Sequence, residues 1–255
     1  MEQTVVETTS LALLMCRLLL GSAACTDGTS ITAATIDACI EPAPRYELIV
    51  GGAGPLEPEA VDALEERLEG SEACGFSLAA ASPDVLVLEI ETANEPTALV
   101  GPLLQPGDLS FVRVDVSHGS DEKLPESLTR LPDADGLTTH IVDPTPLLGN
   151  AELASADAEF STYGDWTITF SLTNRGAERF GEITEEMIGL PLAIVVDGQV
   201  LSAPVIQEPI RGGRAVVSGA FTEQQANEMA NILAHGPLPE GLSILSIEAL
   251  PAGGN

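Results

Sequence analysis

The stretch that decides the fold covers residues 170–236 and reads FSLTNRGAERFGEITEEMIGLPLAIVVDGQVLSAPVIQEPIRGGRAVVSGAFTEQQANEMANILAHG. Its first part predicts a helix that begins at the N-cap residue Asn174. Gly189 and Pro191 predict the end of this helix, because glycine accepts a left-handed conformation and proline cannot continue a helix. The apolar residues recur at three- and four-residue steps and are expected to face a core: Ala177, Phe180, Ile183 and Met187.

A hairpin is predicted directly after this helix. Residues 192–196 form a short apolar run, and Asp197-Gly198 is a preferred two-residue turn because both of its residues need positive φ. The returning strand, residues 199–206, contains Pro204, which has no backbone N–H to donate. We therefore expect the returning strand at the edge of a sheet or at a bulge.

A third strand and a second helix complete the stretch. Gly212-Gly213 predicts a turn, and residues 214–218 predict the strand that follows it. Thr222 and Gln225 form a capping-box pattern at the start of the second helix. The predicted core-facing residues of this helix are Ala226, Met229, Ile232 and Leu233. The whole stretch thus predicts a small α/β unit.

Four segments of this unit resemble a known family. They read FSLTNRGAERFGEIT, GLPLAIVVDGQVLSAPVI, GGRAVVSG and FTEQQANEMANILAHGPLP. Their order, spacing and turn residues are similar to the head subdomain of the first periplasmic domain of SecD. Members of the SecD family are accessory subunits of the bacterial protein-export translocon, so the resemblance implies a role in protein export.

The upstream part of the chain predicts a second unit. Its strand and helix patterns form a β-α-β-α-β series closed by a strand near the C-terminus: residues 46–50, 58–69, 85–91, 95–104, 109–116 and 242–250. Such a series suits an antiparallel sheet with helices on one face. The segments YELIVGG and AVDALEERLEG resemble the first strand and helix of the SecD base. The resemblance implies an α+β fold, in which a ferredoxin-like base sheet carries an inserted α/β head subdomain.

These patterns divide the chain into five parts. Residues 1–42 are expected to be a leader or tether, and residues 43–118 the first part of a SecD-like base. Residues 119–146, rich in Asp, Pro, Ser and Thr, are predicted to be a connector. Residues 147–236 are the predicted head subdomain, and residues 237–255 the return strand of the base with a C-terminal tail.

The charge of the chain excludes two classes of partner. It has 39 acidic and 10 basic residues, a net charge of −29 and a single lysine, Lys123. Such a chain repels phosphate backbones and anionic lipid heads, so neither nucleic acid nor a membrane surface bound through basic patches is expected. After the N-terminal region, no segment approaches the roughly 20 apolar residues that span a bilayer. We therefore expect a SecD-like domain without the transmembrane half of the family.

The N-terminal region and the cysteines leave several alternatives open. If translation starts at Met15, the segment Gly21-Ser22-Ala23-Ala24-Cys25 resembles a lipoprotein cleavage site, and Cys25 is the candidate lipidation site. Cys39 and Cys74 then form an even pair and a candidate disulfide in an oxidising compartment. Ser22 and Ala24 also suit ordinary signal peptidase, which would give a periplasmic protein without a lipid anchor. The other interpretation is an ordinary flexible N-terminus, and in a cytoplasmic protein all four cysteines would be free thiols.

No catalytic, cofactor-binding or metal-binding residues are predicted. Ser202, His235 and Asp197 lack a pattern that would bring them together, and no GxSxG elbow is present. The sequence has no CxxC motif, and the acidic turn at residues 133–136 lacks the further ligands of a calcium loop. The chain is therefore expected not to be an enzyme and to need no cofactor.

The resemblance implies a non-enzymatic, extracytoplasmic domain that binds unfolded or translocating polypeptide, with the Sec translocon as a further partner. We expect the polypeptide to add to an exposed strand edge, at the candidate residues Val200, Leu201, Val205 and Ile206. One alternative is a cell-envelope structural or assembly module that has reused the fold without a role in export. Another is a small-molecule or sugar-binding module that uses a cleft between base and head. The scarcity of aromatic residues argues against the stacking of sugars.

Overall fold

The computed structural model describes residues 43–119, 122–134 and 136–251. The predicted leader over residues 1–42 lies outside this part of the chain. The predictions made for Cys25 and Cys39 therefore also lie outside the described residues.

The base is a four-stranded antiparallel sheet with the strand order β13-β1-β3-β2. Its elements are β1 (Arg45–Gly51), α1 (Pro58–Glu69), β2 (Gly75–Ser82), β3 (Val85–Glu91), α2 (Pro96–Leu103) and β13 (Ser243–Ala249). This βαββαβ series is the ferredoxin-like arrangement. Within the described residues, all other elements lie between α2 and β13, so the predicted fold, a base with an inserted head, is confirmed.

The base core follows from a strict alternation of side chains. In β3 the residues Leu86, Leu88 and Ile90 are buried, while the residues between them are only half-buried. Successive side chains of a strand point to opposite faces of the sheet, so one face of β3 packs on the core. The helix α1 supplies Leu64 and Leu68 to the same core.

The base differs from the sequence-based expectation in two details. The strand β2 was not predicted, because its sequence GFSLAAAS is dominated by small residues and its turn, Pro83-Asp84, is not a favoured hairpin pair. The strand predicted over residues 109–116 exists as β4 (Leu109–Arg113), but it belongs to a sheet of the head and not to the base sheet. Its side chains Phe111 and Val112 are buried on opposite faces, which fits an interior strand.

The head contains two main sheets, two α-helices and a short 3-10 helix (Asn150–Glu152). The first sheet has the order β11-β10-β4-β7, and the second has the order β12-β9-β8. The remaining elements are β7 (Leu148–Gly149), β8 (Leu153–Phe160), β9 (Trp166–Leu172), α3 (Asn174–Glu186), β10 (Leu192–Val196), β11 (Gln199–Ser202), β12 (Arg214–Phe221) and α4 (Glu223–Ala234). Phe111 packs edge-to-face against both Phe170 and Phe180, with ring centroids 6.4 Å and 5.5 Å apart.

The local signals in the head are mostly confirmed. Asp197 and Gly198 have φ values of 50° and 76°, as the predicted turn requires, and Gly189 has φ 82°. The capping box of Thr222 is present. The predicted N-cap Asn174 is wrong by one residue, because the side chain of Thr173 accepts the hydrogen bond from the Gly176 N–H.

The predicted connector contains a hairpin, β5 (Thr129–Pro132) and β6 (Thr139–Val142). Val142 of β6 also forms a bridge with Val114 beyond the end of β4. The hairpin is therefore fastened to the first head sheet. Within the described residues, no helix is long and apolar enough to cross a membrane.

Candidate functional site at the strand edge and the base–head junction

The predicted binding edge lies at one side of the first head sheet. The strand β11 is the last in its sheet and pairs with β10 through Val200 and Ser202, with an irregularity between Ile194 and Val195 of the partner strand. Beyond β11 the chain continues along β10, since the Leu192 N–H donates to the carbonyl of Pro204 at 3.0 Å. The expected edge position of Pro204 is therefore confirmed.

The four candidate edge residues differ in exposure. Val200 is fully buried with Val112, Val142, Ala193 and Val195, and Ile206 is buried in the main head core. These two side chains are enclosed by different clusters, Val200 by the small cluster and Ile206 by the main head core, so neither side chain is open to a partner. Val205 is 48% exposed and Leu201 is half-buried, so only these two side chains are open to a partner.

The chain itself covers one end of this edge. Asp133 forms a parallel bridge with Val200, and the Ala134 N–H donates to the Val200 carbonyl at 3.0 Å. The loop is braced because the Asp133 carboxylate lies 3.1 Å from His140 Nε2 and accepts a hydrogen bond from the Thr138 hydroxyl. The hairpin therefore occupies the outer side of β11 at Val200.

The other end of the edge is open at Val205. Pro191 and Val205 lie opposite each other in an antiparallel bridge. The hydrogen bonds of this bridge are formed by the flanking residues: the Ile206 N–H donates to the Leu190 carbonyl at 3.0 Å, and the Leu192 N–H donates to the Pro204 carbonyl as described above. In this type of pair the N–H and C=O groups of the central residue point away from the partner strand. Within the described residues, the carbonyl of Val205 accepts a hydrogen bond from the side-chain amide of Gln207 at 3.4 Å.

Two further apolar side chains lie beside Val205. Ile188 is 51% exposed and Leu190 is 45% exposed. Their loop is fixed to the edge because the Gly189 N–H donates to the Ile206 carbonyl at 2.8 Å. Ile188, Leu190 and Val205 are called the edge patch below. Sequence reasoning missed Ile188 and Leu190, because both lie in the loop that follows a helix.

The three residues considered for a catalytic triad each have a separate structural contact. The Asp197 carboxylate accepts hydrogen bonds from the backbone of Gly107 and Asp108, at 3.1 Å and 2.8 Å. His235 Nδ1 lies 2.8 Å from the Asn231 carbonyl, and Ser202 pairs with Ile194 in the sheet. Among the described residues, no group of three or more His, Cys, Asp or Glu side chains is arranged to hold a metal ion.

A buried arginine lies where the base meets the head. Arg67, on α1, is fully buried. Its Nη1 donates to the carbonyls of Leu103 and Gln105 at 2.8 Å and 2.6 Å, and its Nη2 donates to those of Pro106 and Gly236. Desolvation by burial lowers the pKa of Arg67 to about 10, while the carboxylate of Asp197 acts in the opposite direction.

Close packing surrounds this arginine. Gly107 has φ +73°, and a Cβ at this position would lie 2.6 Å from Ile232 Cγ2 and 2.9 Å from Arg67 Nη2. The side chain of Asn150 accepts from the Leu109 N–H at 2.9 Å and donates to the Gly107 carbonyl at 2.8 Å. The junction thus requires glycine at position 107. None of these contacts was predicted, because they join residues far apart in sequence.

Cys74 is disulfide-bonded, and its partner lies outside the described residues. The residue directly precedes β2, and its N–H donates to the Glu91 carbonyl at 2.8 Å. The remaining cysteines are Cys16, Cys25 and Cys39. The pairing of Cys74 with Cys39 therefore stays a prediction.

The fold and the site define a class of protein. It is an α+β domain in which a head with an open strand edge is inserted into a ferredoxin-like base. Residues 126–240 match the family profile of the SecDF P1 head subdomain. This chain therefore carries a P1 head subdomain of the SecD/SecDF family, as its sequence predicts. The match begins within the predicted connector and includes the β5–β6 hairpin.

Curated relatives extend the similarity beyond the head. SecD of Rickettsia bellii is 34% identical over 163 residues, which are 63% of this chain and 32% of the relative. SecDF of Thermus thermophilus is 43% identical over 105 residues, 41% of this chain and 14% of the relative. SecD of Acetobacter pasteurianus is 27% identical over 191 residues, 73% of this chain and 36% of the relative. The chain thus spans about a third or less of the length of these proteins.

Solved structures share the fold. A structure of SecDF, described as a membrane component that enhances protein export, has a TM-score of 0.62 at 24% identity. That comparison covers 80% of this chain and all of the other. SecDF in a super-membrane-facing form has a TM-score of 0.67 at 24% identity, over 95% of this chain and 35% of the other.

Proposed function

We propose that this chain is a non-enzymatic, extracytoplasmic domain that binds polypeptide and acts in protein export. The observation that carries the proposal is the match of residues 126–240 to the SecDF P1 head subdomain. Its curated relatives are named as protein translocase subunits. A translocating polypeptide is unfolded, so its partner must bind extended backbone rather than a folded surface.

The edge patch suits an extended polypeptide. The outward N–H and C=O of Val205 supply the backbone hydrogen bonds of an added strand, while Ile188 and Leu190 contact its apolar side chains. The Val200 end is already occupied by Ala134. The bound segment is therefore expected to be short, apolar and centred on Val205, with its affinity set by the edge patch.

The test uses the purified chain and a chemically unfolded secreted protein of known sequence, with binding followed by fluorescence anisotropy. Val205→Asp places a charge in the apolar contact and is expected to weaken binding at least about tenfold, which corresponds to about 1.4 kcal/mol. Val216→Asp is the matched control, because Val216 is also exposed but lies on β12 of the second sheet. Equal affinity of the two variants, or no binding by the wild type, would contradict the proposal.

The extracytoplasmic location is part of the same proposal. The disulfide of Cys74 supports it, because disulfides persist in oxidising compartments and are rare in the cytosol. The lipid anchor at Cys25 is tested by expressing the chain from Met1 and from Met15 with a labelled fatty acid. Label that is incorporated and then lost in Cys25→Ala is the expected result, and an unlabelled cytosolic product from both starts would overturn the location.

A further inference from the structure

We propose that Arg67 is a clamp that fixes the head on the base by holding both chain segments that connect them. The outgoing segment, residues 104–108, leaves α2 for the head, and the returning segment, residues 236–238, leads from α4 back to the base. Arg67 belongs to neither segment, since it lies on α1 of the base. One side chain of the base therefore contacts both segments that set the orientation of the head on the base.

The guanidinium group of Arg67 has enough donors to bind several carbonyls at once. It carries five N–H donors in a planar fork and has no acceptor. Four carbonyls receive hydrogen bonds from its two terminal nitrogens: those of Leu103, Gln105, Pro106 and Gly236. The first three belong to the end of α2 and the outgoing segment, and the last begins the returning segment. A buried charge is costly unless it is hydrogen-bonded. The four hydrogen bonds therefore stabilise one another, because losing one leaves the buried charge less well compensated.

The two segments also contact each other. The Leu238 N–H donates to the Pro106 carbonyl at 2.8 Å, so one carbonyl is shared by Arg67 and the returning segment. The two connections therefore behave as one hydrogen-bonded unit centred on the guanidinium. A rotation of the head about these segments has to break contacts to Arg67.

Contacts from α4 support the clamp from the head side. The amide of Asn231 donates to the Arg67 carbonyl at 2.8 Å, which joins α4 directly to α1. A Cβ on Gly70 would lie 2.6 Å from Asn231 Oδ1, so the end of α1 and the side of α4 are in close contact. The junction has little free space for the two helices to slide without releasing Arg67.

The experiment is hydrogen–deuterium exchange on the whole chain, resolved by peptide. Arg67→Met keeps a long apolar stem but removes every donor. Exchange in peptides covering residues 104–108 and 236–242 is expected to rise at least about tenfold, the change that follows from losing one hydrogen bond to a charged group. Exchange in β3 of the base and β9 of the head is expected to stay within about twofold, because their own cores are intact.

Two further variants complete the test. Arg45→Met is the matched control, because Arg45 is an exposed arginine of the base that pairs with Glu89, and it is expected to leave both segments protected. Arg67→Lys covers the case in which Arg67→Met does not fold, since an ammonium keeps the charge but reaches fewer carbonyls. Faster exchange confined to the two segments supports the clamp. Unchanged exchange there, or an equal rise throughout β3 and β9, would overturn it.

Discussion

The base and the head bury their sheets in different ways. The base sheet is covered by α1 and α2 on one face, and strands such as β3 alternate buried with half-buried residues. The central strand β10 of the head is buried at all five positions. One face of β10 packs on the main head core and the other on the cluster around Val142 and Val200. A strand with one covered face tolerates change at every second residue, whereas a strand between two cores tolerates it nowhere.

The largest expected loss of stability comes from alanine substitutions in the cores, made on both faces of β10 and of β3. In β10, Ile194→Ala is expected to cost about 2–5 kcal/mol of unfolding free energy, and Val195→Ala on the opposite face also costs more than about 1 kcal/mol. In β3, Leu88→Ala is expected to cost about 2–5 kcal/mol, but Val87→Ala less than about 1 kcal/mol. Urea unfolding of the four variants measures this. Equal losses at Val87 and Val195 would show that the two sheets are covered alike.

A second difference is that a disulfide is attached to the base, beside its edge strand β2. Cys74→Ser is expected to cost about 2–5 kcal/mol, because the cross-link restricts the unfolded chain. Cys39→Ser is expected to give the same loss and Cys16→Ser none. Peptide mapping under non-reducing conditions checks the pairing directly. A fragment joining Cys74 to Cys25 would contradict both the disulfide prediction and the lipidation site.

The segment between the two units is expected to be sensitive at a single glycine. Gly107→Ala is expected to destabilise the protein by about 1–3 kcal/mol, because it combines positive φ with contacts to Ile232 and Arg67. Gly212→Ala is the control, since a Cβ there meets nothing within 4 Å. Thermal unfolding of the two variants compares them. An equal melting temperature for both would mean that the junction relaxes without loss.

The smallest expected effect lies in the loop after β4. A hydrogen bond from His118 is the main cause that holds the pKa of Asp115 below its ordinary value of 3.8. A carboxylate with a lowered pKa stabilises the fold above pH 3.8, and this contribution disappears as the pH falls through the folded pKa. Asp115→Asn is therefore expected to be slightly less stable than the wild type at pH 6, with the difference shrinking below pH 3.8. A difference that grows on acidification would contradict this assignment.

Much of the head could be predicted from sequence because its signals are local. The turn at Asp197-Gly198, the end of α3 at Gly189 and the cap at Thr222 depend on residues within a few positions of one another. The cap of α3 was misplaced only because Thr173 and Asn174 are adjacent residues that can both cap. The base could be predicted as a type of fold, through its alternating strands and its resemblance to SecD.

What could not be predicted depends on distant pairing. The strand β4 is apolar enough for either unit, and only its partner β10, some distance along the chain, assigns it to the head. The cover over Val200 comes from Ala134, in a segment whose composition is typical of a loop. From the sequence alone, Arg67 would be placed on the charged face of an amphipathic helix. No neighbouring residue in the sequence indicates that it is buried and hydrogen-bonded to four carbonyls.

The most direct test of the central claim is site-specific photo-crosslinking to a defined unfolded secreted protein. A photoreactive amino acid is placed at Val205 of the edge patch in one variant and at Val216 in the other. The account predicts a covalent adduct from Val205 that is reduced by Leu190→Asp, and little or none from Val216. Equal adducts from both positions, or none from Val205, would contradict the claim that the head binds polypeptide at this edge.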